Sequence, residues 1–173
     1  MSWARPVRLG ELTPGPVTLS LTPGEADRAE IAQELGLVGL PALTARVKVS
    51  PWHDGAVLVG RFEATVTQVC GVSLEPFDDA VEGEFEIRLV PPGSPNLPDE
   101  EGGELTLDLE APDPPDALEG DEIDVGGYLV EHLALSLDPF PRRPGAAFDY
   151  VDERAQEASP FSVLKGLKDR GDR

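Results

Sequence analysis

Between residues 43 and 90 the chain alternates apolar and polar side chains in three successive runs. A period of two demands β-strands with one buried and one wet face. Residues 43–49 (Leu-Thr-Ala-Arg-Val-Lys-Val) form the first run. A turn at Pro51-Trp52-His53-Asp54-Gly55, with Asp-Gly at its tip, leads into the second run over 56–69. Residues 71–79 interrupt the pattern, and 81–90 resumes it with Phe85, Ile87 and Leu89 on one face. Runs joined this closely predict an antiparallel meander, apolar on one side only. Shorter alternating stretches at 17–21 and 104–110 predict further strands.

Two longer helices and one short one are predicted around this sheet. Thr22-Pro23-Gly24-Glu25 reads as a helix start, with Thr22 as cap, Pro23 in the first turn and Glu25 closing a capping box. The helix runs through Arg28, Ile31, Ala32 and Leu35, and Gly36 is its stop. Residues 37–41 then form a short apolar connection. Asp124 is expected to cap a second helix over 125–137. Its apolar stripe is Val125, Tyr128, Leu129, His132, Leu133 and Ser136, widened by Leu135 and Leu137. Pro139 and Pro141 stop it. Ser159-Pro160 opens a short C-terminal helix over 161–168 that gathers Phe161, Leu164 and Leu167. The expected class is α+β: a mainly antiparallel, meander-like β-sheet with two helices packed on it and a short C-terminal helix. A single domain is expected over 1–173. Acidic Pro-rich loops are expected at 91–103 and 111–122, and a mobile connection to the last helix at 142–158.

Charge narrows the function classes. Lys and Arg number 14 against 33 Asp and Glu, a net −19. Residues 1–50 hold five cations and five acids, residues 51–138 two cations and 22 acids, and residues 139–173 seven cations and six acids. The middle therefore carries the whole excess. Such a surface suits a basic partner and repels nucleic acid at long range, because gripping phosphates takes clustered Lys and Arg. No apolar run approaches the ~18 residues of a membrane span, so no membrane association is expected. The first residues lack an apolar secretory core. The single cysteine, Cys70, excludes an internal disulfide framework and fits a reducing cytoplasm.

Little catalytic chemistry is visible. His53 sits in a turn, where a polar surface role is expected. His132 and Ser136 are one helical turn apart, the spacing of a base and a nucleophile, but no oxyanion motif such as G-x-S-x-G accompanies them. Cys70 ends a strand and reads as a small buried hydrophobe. The carboxylate runs at 99–101 and 121–124 lack EF-hand spacing, and no phosphate-binding Gly loop is present. No catalytic residue, cofactor or metal ligand is assigned, and the chain is expected not to be an enzyme.

Three segments together resemble the YceD family, the large ribosomal RNA subunit accumulation proteins. The first is Phe62-Glu63-Ala64-Thr65-Val66-Thr67-Gln68-Val69-Cys70 running into Ser73-Leu74-Glu75-Pro76-Phe77. The second is Ile123-Asp124-Val125 through Glu131, Leu133-Ala134-Leu135 and Pro139. The third is Pro160-Phe161-Ser162-Val163-Leu164-Lys165-Gly166-Leu167-Lys168. The resemblance implies a cytoplasmic, non-enzymatic role in large-subunit ribosomal RNA accumulation. Many relatives carry a second cysteine three residues after the first, with further Cys or His downstream. Here Ser73 holds that position and Arg142-Arg143 follow Pro141, so no metal site is transferred.

Resemblance and charge together set the partner expectation. Specific RNA contact typically neutralises about six to ten phosphates, yet residues 51–138 hold only two cations. The expected partner is a basic ribosomal protein or ribosome assembly factor held by the acidic face. The candidate partner-binding residues are Arg142, Arg143, Phe161, Leu164, Leu167 and Lys168. The alternatives are direct ribosomal RNA contact through the C-terminal basic segment and, in a third class, a hydrolase using His132 and Ser136.

Overall fold

The computed structural model describes residues 3–97 and 113–148. The predicted strand at 104–110 and the C-terminal helix with Phe161, Leu164, Leu167 and Lys168 lie outside the described residues. In chain order the elements are β1 (Pro6–Arg8), a 3-10 turn (Leu9–Leu12), β2 (Val17–Leu21), α1 (Glu25–Glu34) and β3 (Gly39–Trp52). They continue with β4 (Gly55–Val69), β5 (Pro76–Val90), β6 (Asp116–Ala117), β7 (Glu122–Asp124) and α2 (Val125–Ser136). The main sheet has the order β2-β3-β4-β5-β6, antiparallel except for the parallel β5–β6 pair. A two-stranded ribbon, β1 with β7, is separate. The α+β meander expected from the alternating runs is therefore the architecture observed.

Period-two patterning decides which face is buried. Leu43, Ala45, Val47 and Val49 of β3 point inward, as do Ala56, Leu58, Phe62, Ala64 and Val66 of β4. Phe85, Ile87 and Leu89 continue the layer on β5. Ile31 from α1 and Leu129 and Leu133 from α2 cover it. Two glycines make this layer fit. Phe62 is paired with Gly83 and Phe85 with Gly60. A Cβ on Gly60 would come 2.3 Å from the Phe85 ring, and one on Gly83 would come 2.6 Å from the Phe62 ring. Each ring occupies the volume its opposite residue lacks, which leaves no room for any other residue there.

The helix ends show which local signals hold. Gly36 has φ +67, and Leu37 N–H donates to the Ala32 carbonyl at 2.9 Å, the Schellman closure that a glycine stop predicts. The start of α1 differs from expectation. Gly24, not Thr22, is the cap, and the Asp27 carboxylate accepts from Gly24 N–H at 3.2 Å. Arg28 reaches back from the helix to donate to the Pro23 and Leu40 carbonyls. At α2, Asp124 occupies the cap position without bonding the helix. Its carboxylate instead accepts from Arg5 N–H at 2.9 Å, and Val125 N–H donates to the Arg5 carbonyl. A Cβ on Gly126 would lie 2.5 Å from the Trp3 carbonyl oxygen. The N-terminal segment thus packs directly on the α2 backbone, and that contact outcompetes an ordinary cap.

Other boundaries move for reasons that lie outside the local pattern. Residues 39–41, read as a connection, belong to β3, with a register shift between Gly39 and Ala42. β5 starts at Pro76, because residues 76–80 pair with residues 65–69 of β4 although their own alternation is weak. The β3–β4 turn tip is His53-Asp54, with Trp52 paired to Gly55. His53 takes φ +51, and Gly55 is a strand residue whose Cβ would lie 1.9 Å from the Leu89 carbonyl oxygen. Residues 113–122, the described part of the loop read at 111–122, supply β6 and the first residue of β7, with Leu118 buried and its N–H donating to Val90 O. Two- and three-residue strands are too short to show a period. Leu135, placed on the apolar stripe, is 74% exposed, because it faces away from the sheet. Among the described residues no helix is long and apolar enough to cross a membrane.

Candidate functional site

Two polar constructions stand out once the fold is in place. The first surrounds Cys70, at the end of β4. Its side chain is fully buried, as a small hydrophobe would be, but its surroundings are polar. The N–H groups of Val72, Ser73 and Arg143 point at Sγ from 3.4, 3.4 and 3.3 Å. The Ser73 hydroxyl, then the Ser73 and Arg143 N–H groups, bring the thiol pKa down to about 6, against the opposing effect of burial. Converging donors favour the thiolate, the form that accepts most strongly. Composition gave no sign of this, because the third donor arrives from far along the chain.

The Cys70 turn also clamps the segment that follows α2. Gly71 N–H donates to Pro141 O at 2.8 Å. The Arg143 guanidinium pairs with Glu75 at 2.8 Å. Arg143, expected to meet a partner, is thereby paired within the chain, and residues 141 and 143 are held against the Cys70 turn. Arg142 is exposed. Leu74, at φ +59, and Phe140, each 76% exposed, flank this clamp. The described residues around Sγ do not fit a metal. Ser73 and the Arg143 N–H hold the places around Sγ, and among the described residues no group of three or more Cys, His, Asp or Glu is assembled to bind one.

The second construction is a groove between β5, the segment around β6 and the flank of α2. It has a volume of about 530 Å3, and its walls carry Glu86, Asp113, Asp116 and Glu131 beside Tyr128 and His132. Arg88, the one cation among its described lining residues, is paired with Glu86. Burial first, then Asp116 and Glu131, push the Tyr128 hydroxyl above its ordinary pKa, so it stays protonated and able to donate. The groove therefore offers four carboxylates, three of them without a cation among the described residues. These four belong to the acidic block that the charge count located.

His132 and Ser136 are not arranged as base and nucleophile. The Ser136 hydroxyl donates to the carbonyl oxygen of His132 at 2.9 Å. The His132 ring lies flat on Phe85, with centroids 4.6 Å apart and planes 5° apart. Helical spacing brought the two residues onto one face, but the hydroxyl took the nearer backbone acceptor. His53 is exposed in the turn, its ring edge-on to Trp52 at 4.3 Å. Beside it the Asp54 carboxylate accepts from Ser94 and Asn96, and the Ser94 bond lowers its pKa first. This cluster fastens residues 94–96 to the β3–β4 turn.

Comparison with known proteins gives one positive result. A family model described as large ribosomal RNA subunit accumulation protein YceD matches residues 58–168. That span takes in β4, β5, the Cys70 turn, the acidic groove and α2. No curated protein matches, and no solved structure matches.

Proposed function

The chain belongs to the YceD family, whose role is in large-subunit ribosomal RNA accumulation, and on that premise we propose that it acts as a non-enzymatic adaptor. In this reading the acidic groove holds a Lys- and Arg-rich segment of a basic ribosomal protein or assembly factor. The observation that carries it is the set of carboxylates Glu86, Asp113, Asp116 and Glu131 around one cleft whose sole cation among the described residues is already paired. A cleft of one sign focuses the field and steers an oppositely charged partner. Tyr128 and His132 add flat surface for the alkyl stems of Lys and Arg. Exposed Leu74 and Phe140 supply apolar area at the clamp end of the molecule. The engagement of the Ser136 hydroxyl with backbone supports the non-enzymatic part of the reading.

The test is a pull-down with tagged protein from cells at low and moderate salt, beside the variant D113N/D116N/E131Q. The wild type should recover basic ribosomal proteins or precursor large subunits, with recovery falling as salt rises. The variant should recover several-fold less. Equal recovery by both proteins, or nothing ribosomal from either, refutes the groove.

A further inference from the structure

Nine of the 14 cations lie among the described residues. Four are spent in ion pairs: Arg5 with Asp27, Arg8 with Glu122, Arg88 with Glu86 and Arg143 with Glu75. Arg28 is spent on two backbone carbonyls. Of the four that remain, three stand together. Arg46 and Lys48 on β3 and Arg61 on β4 all project from the wet face of the sheet, and Arg46 is directly opposite Arg61. Hydroxyl side chains adjoin them on the other side: Ser20 pairs with Arg46 and Thr18 with Lys48. The face is concave here. A depression of about 760 Å3 is lined by Ser20, Thr44, Arg46 and Arg61 together with Glu63, Glu82 and Glu84, and a neighbouring one of about 640 Å3 by Thr18, Arg46, Lys48 and Arg61 together with Glu84 and Glu86.

Like charges directly opposite on neighbouring strands weaken a sheet. Acidic residues are close enough to border these cations, since Glu63 lies two residues after Arg61 and Glu84 is paired with it. Yet among the described residues none forms an ion pair with Arg46, Lys48 or Arg61. The arrangement has the character of a site that waits for an external anion. We propose that this concave strip binds the phosphate backbone of RNA directly, at a place distinct from the acidic groove.

The chemistry fits a phosphodiester chain. Two guanidinium forks and an ammonium match phosphate oxygens, and the neighbouring hydroxyls donate to the same oxygens. The rows through Lys48 and Arg46 present no aromatic ring, so bases are not stacked and the contact is to backbone, whatever the sequence. Glu82, Glu84 and Glu86 on β5 line the β5 side of the two depressions, so the phosphate contact is confined to the side formed by Arg46, Lys48 and Arg61. The family's role with ribosomal RNA is used only to choose among polyanions. Such a protein has an acidic edge for a basic partner and a basic strip for the RNA beside it.

The experiment uses the purified full-length chain and RNA alone, so it does not depend on the groove. Fluorescence anisotropy is measured with a large-subunit ribosomal RNA fragment and an unrelated single-stranded RNA of equal length, over a salt series. Both should bind alike, with log affinity falling against log salt at a slope of about −2 to −3, as for three phosphates. R46E/R61E should lose at least tenfold in affinity with an unchanged circular dichroism spectrum, and K48E a few-fold. E84Q should gain affinity, and R142E should match the wild type. The proposal is overturned if the wild type binds neither RNA at low salt, if R46E/R61E binds as well as the wild type, or if R142E loses as much. It is equally overturned if polyglutamate binds the strip as tightly as RNA, which would make the partner an acidic protein.

Discussion

On the inner face of the sheet, Phe62 lies against Gly83 and Phe85 against Gly60. On the outer face of the same strands, one residue along, Arg46 stands opposite Arg61 and Glu63 opposite Glu82. Both faces share one backbone and one register. The inner pairs are complementary in volume, so that neither partner can change alone. The outer rows set like charges opposite each other, Arg46 to Arg61 and Glu63 to Glu82, and although Glu84 is the other neighbour of Arg61, none of the three cations forms an ion pair among the described residues. Fold stability alone accounts for the first pattern. It argues against the second, which therefore points outward to a partner.

The comparison can be broken most forcefully at Gly60. A Gly60→Ala substitution puts its Cβ 2.3 Å from the Phe85 ring and should cost about 1–3 kcal/mol or more by overpacking, read by urea denaturation. The added F85L change should return part of that loss, since the two positions share one volume. A variant no less stable than the wild type would show that the ring is free to move aside.

Arg28→Ala sharpens a second contrast, between a cation used inside the fold and cations left unused. Removing a guanidinium that serves two backbone carbonyls should cost about 1–3 kcal/mol. Arg46→Thr should do the opposite, raising stability by a few tenths of a kcal/mol by ending the like-charge pair with Arg61 while leaving Arg61 opposite Glu84. If both substitutions destabilise equally, Arg46 is a structural residue and the outer face has been misjudged.

The Cys70 clamp makes a prediction in pH. Its thiol pKa of about 6 in the fold lies below the ordinary 9.0. Between these values the unfolded chain carries the extra proton, so stability rises with pH across the window. The contribution is complete above about 9 and is lost as pH falls through about 6. Stability curves of wild type and Cys70→Ala should diverge across that range, with the variant flatter. Thiolate absorbance should titrate near 6, and a midpoint at the ordinary value would dismiss the thiolate.

Much of the fold was legible in local pattern. Alternation located the cores of β3, β4 and β5, and Gly36 ended α1 where a left-handed residue was needed. Less of the site was legible. Cys70 read as a hydrophobe because burial follows from neighbours in sequence, whereas its donors come partly from Arg143. Arg143 read as a free cation because Glu75 lies 68 positions away. The acidic excess was visible as a count, but the meeting of Glu86, Asp113, Asp116 and Glu131 in one groove needed β5, β6 and α2 side by side.

The sequence by itself determined which side chains of each strand share a face, since a period of two is written residue by residue. It also determined that the middle of the chain is acidic. Only the tertiary structure decided which residues face one another: Arg46 across from Arg61, Phe85 across from Gly60, Arg143 N–H upon Cys70 Sγ. The reason is physical. Periodicity is a property of consecutive residues, but register and long-range contact are set by turn length, volume and packing, where each choice depends on residues far along the chain.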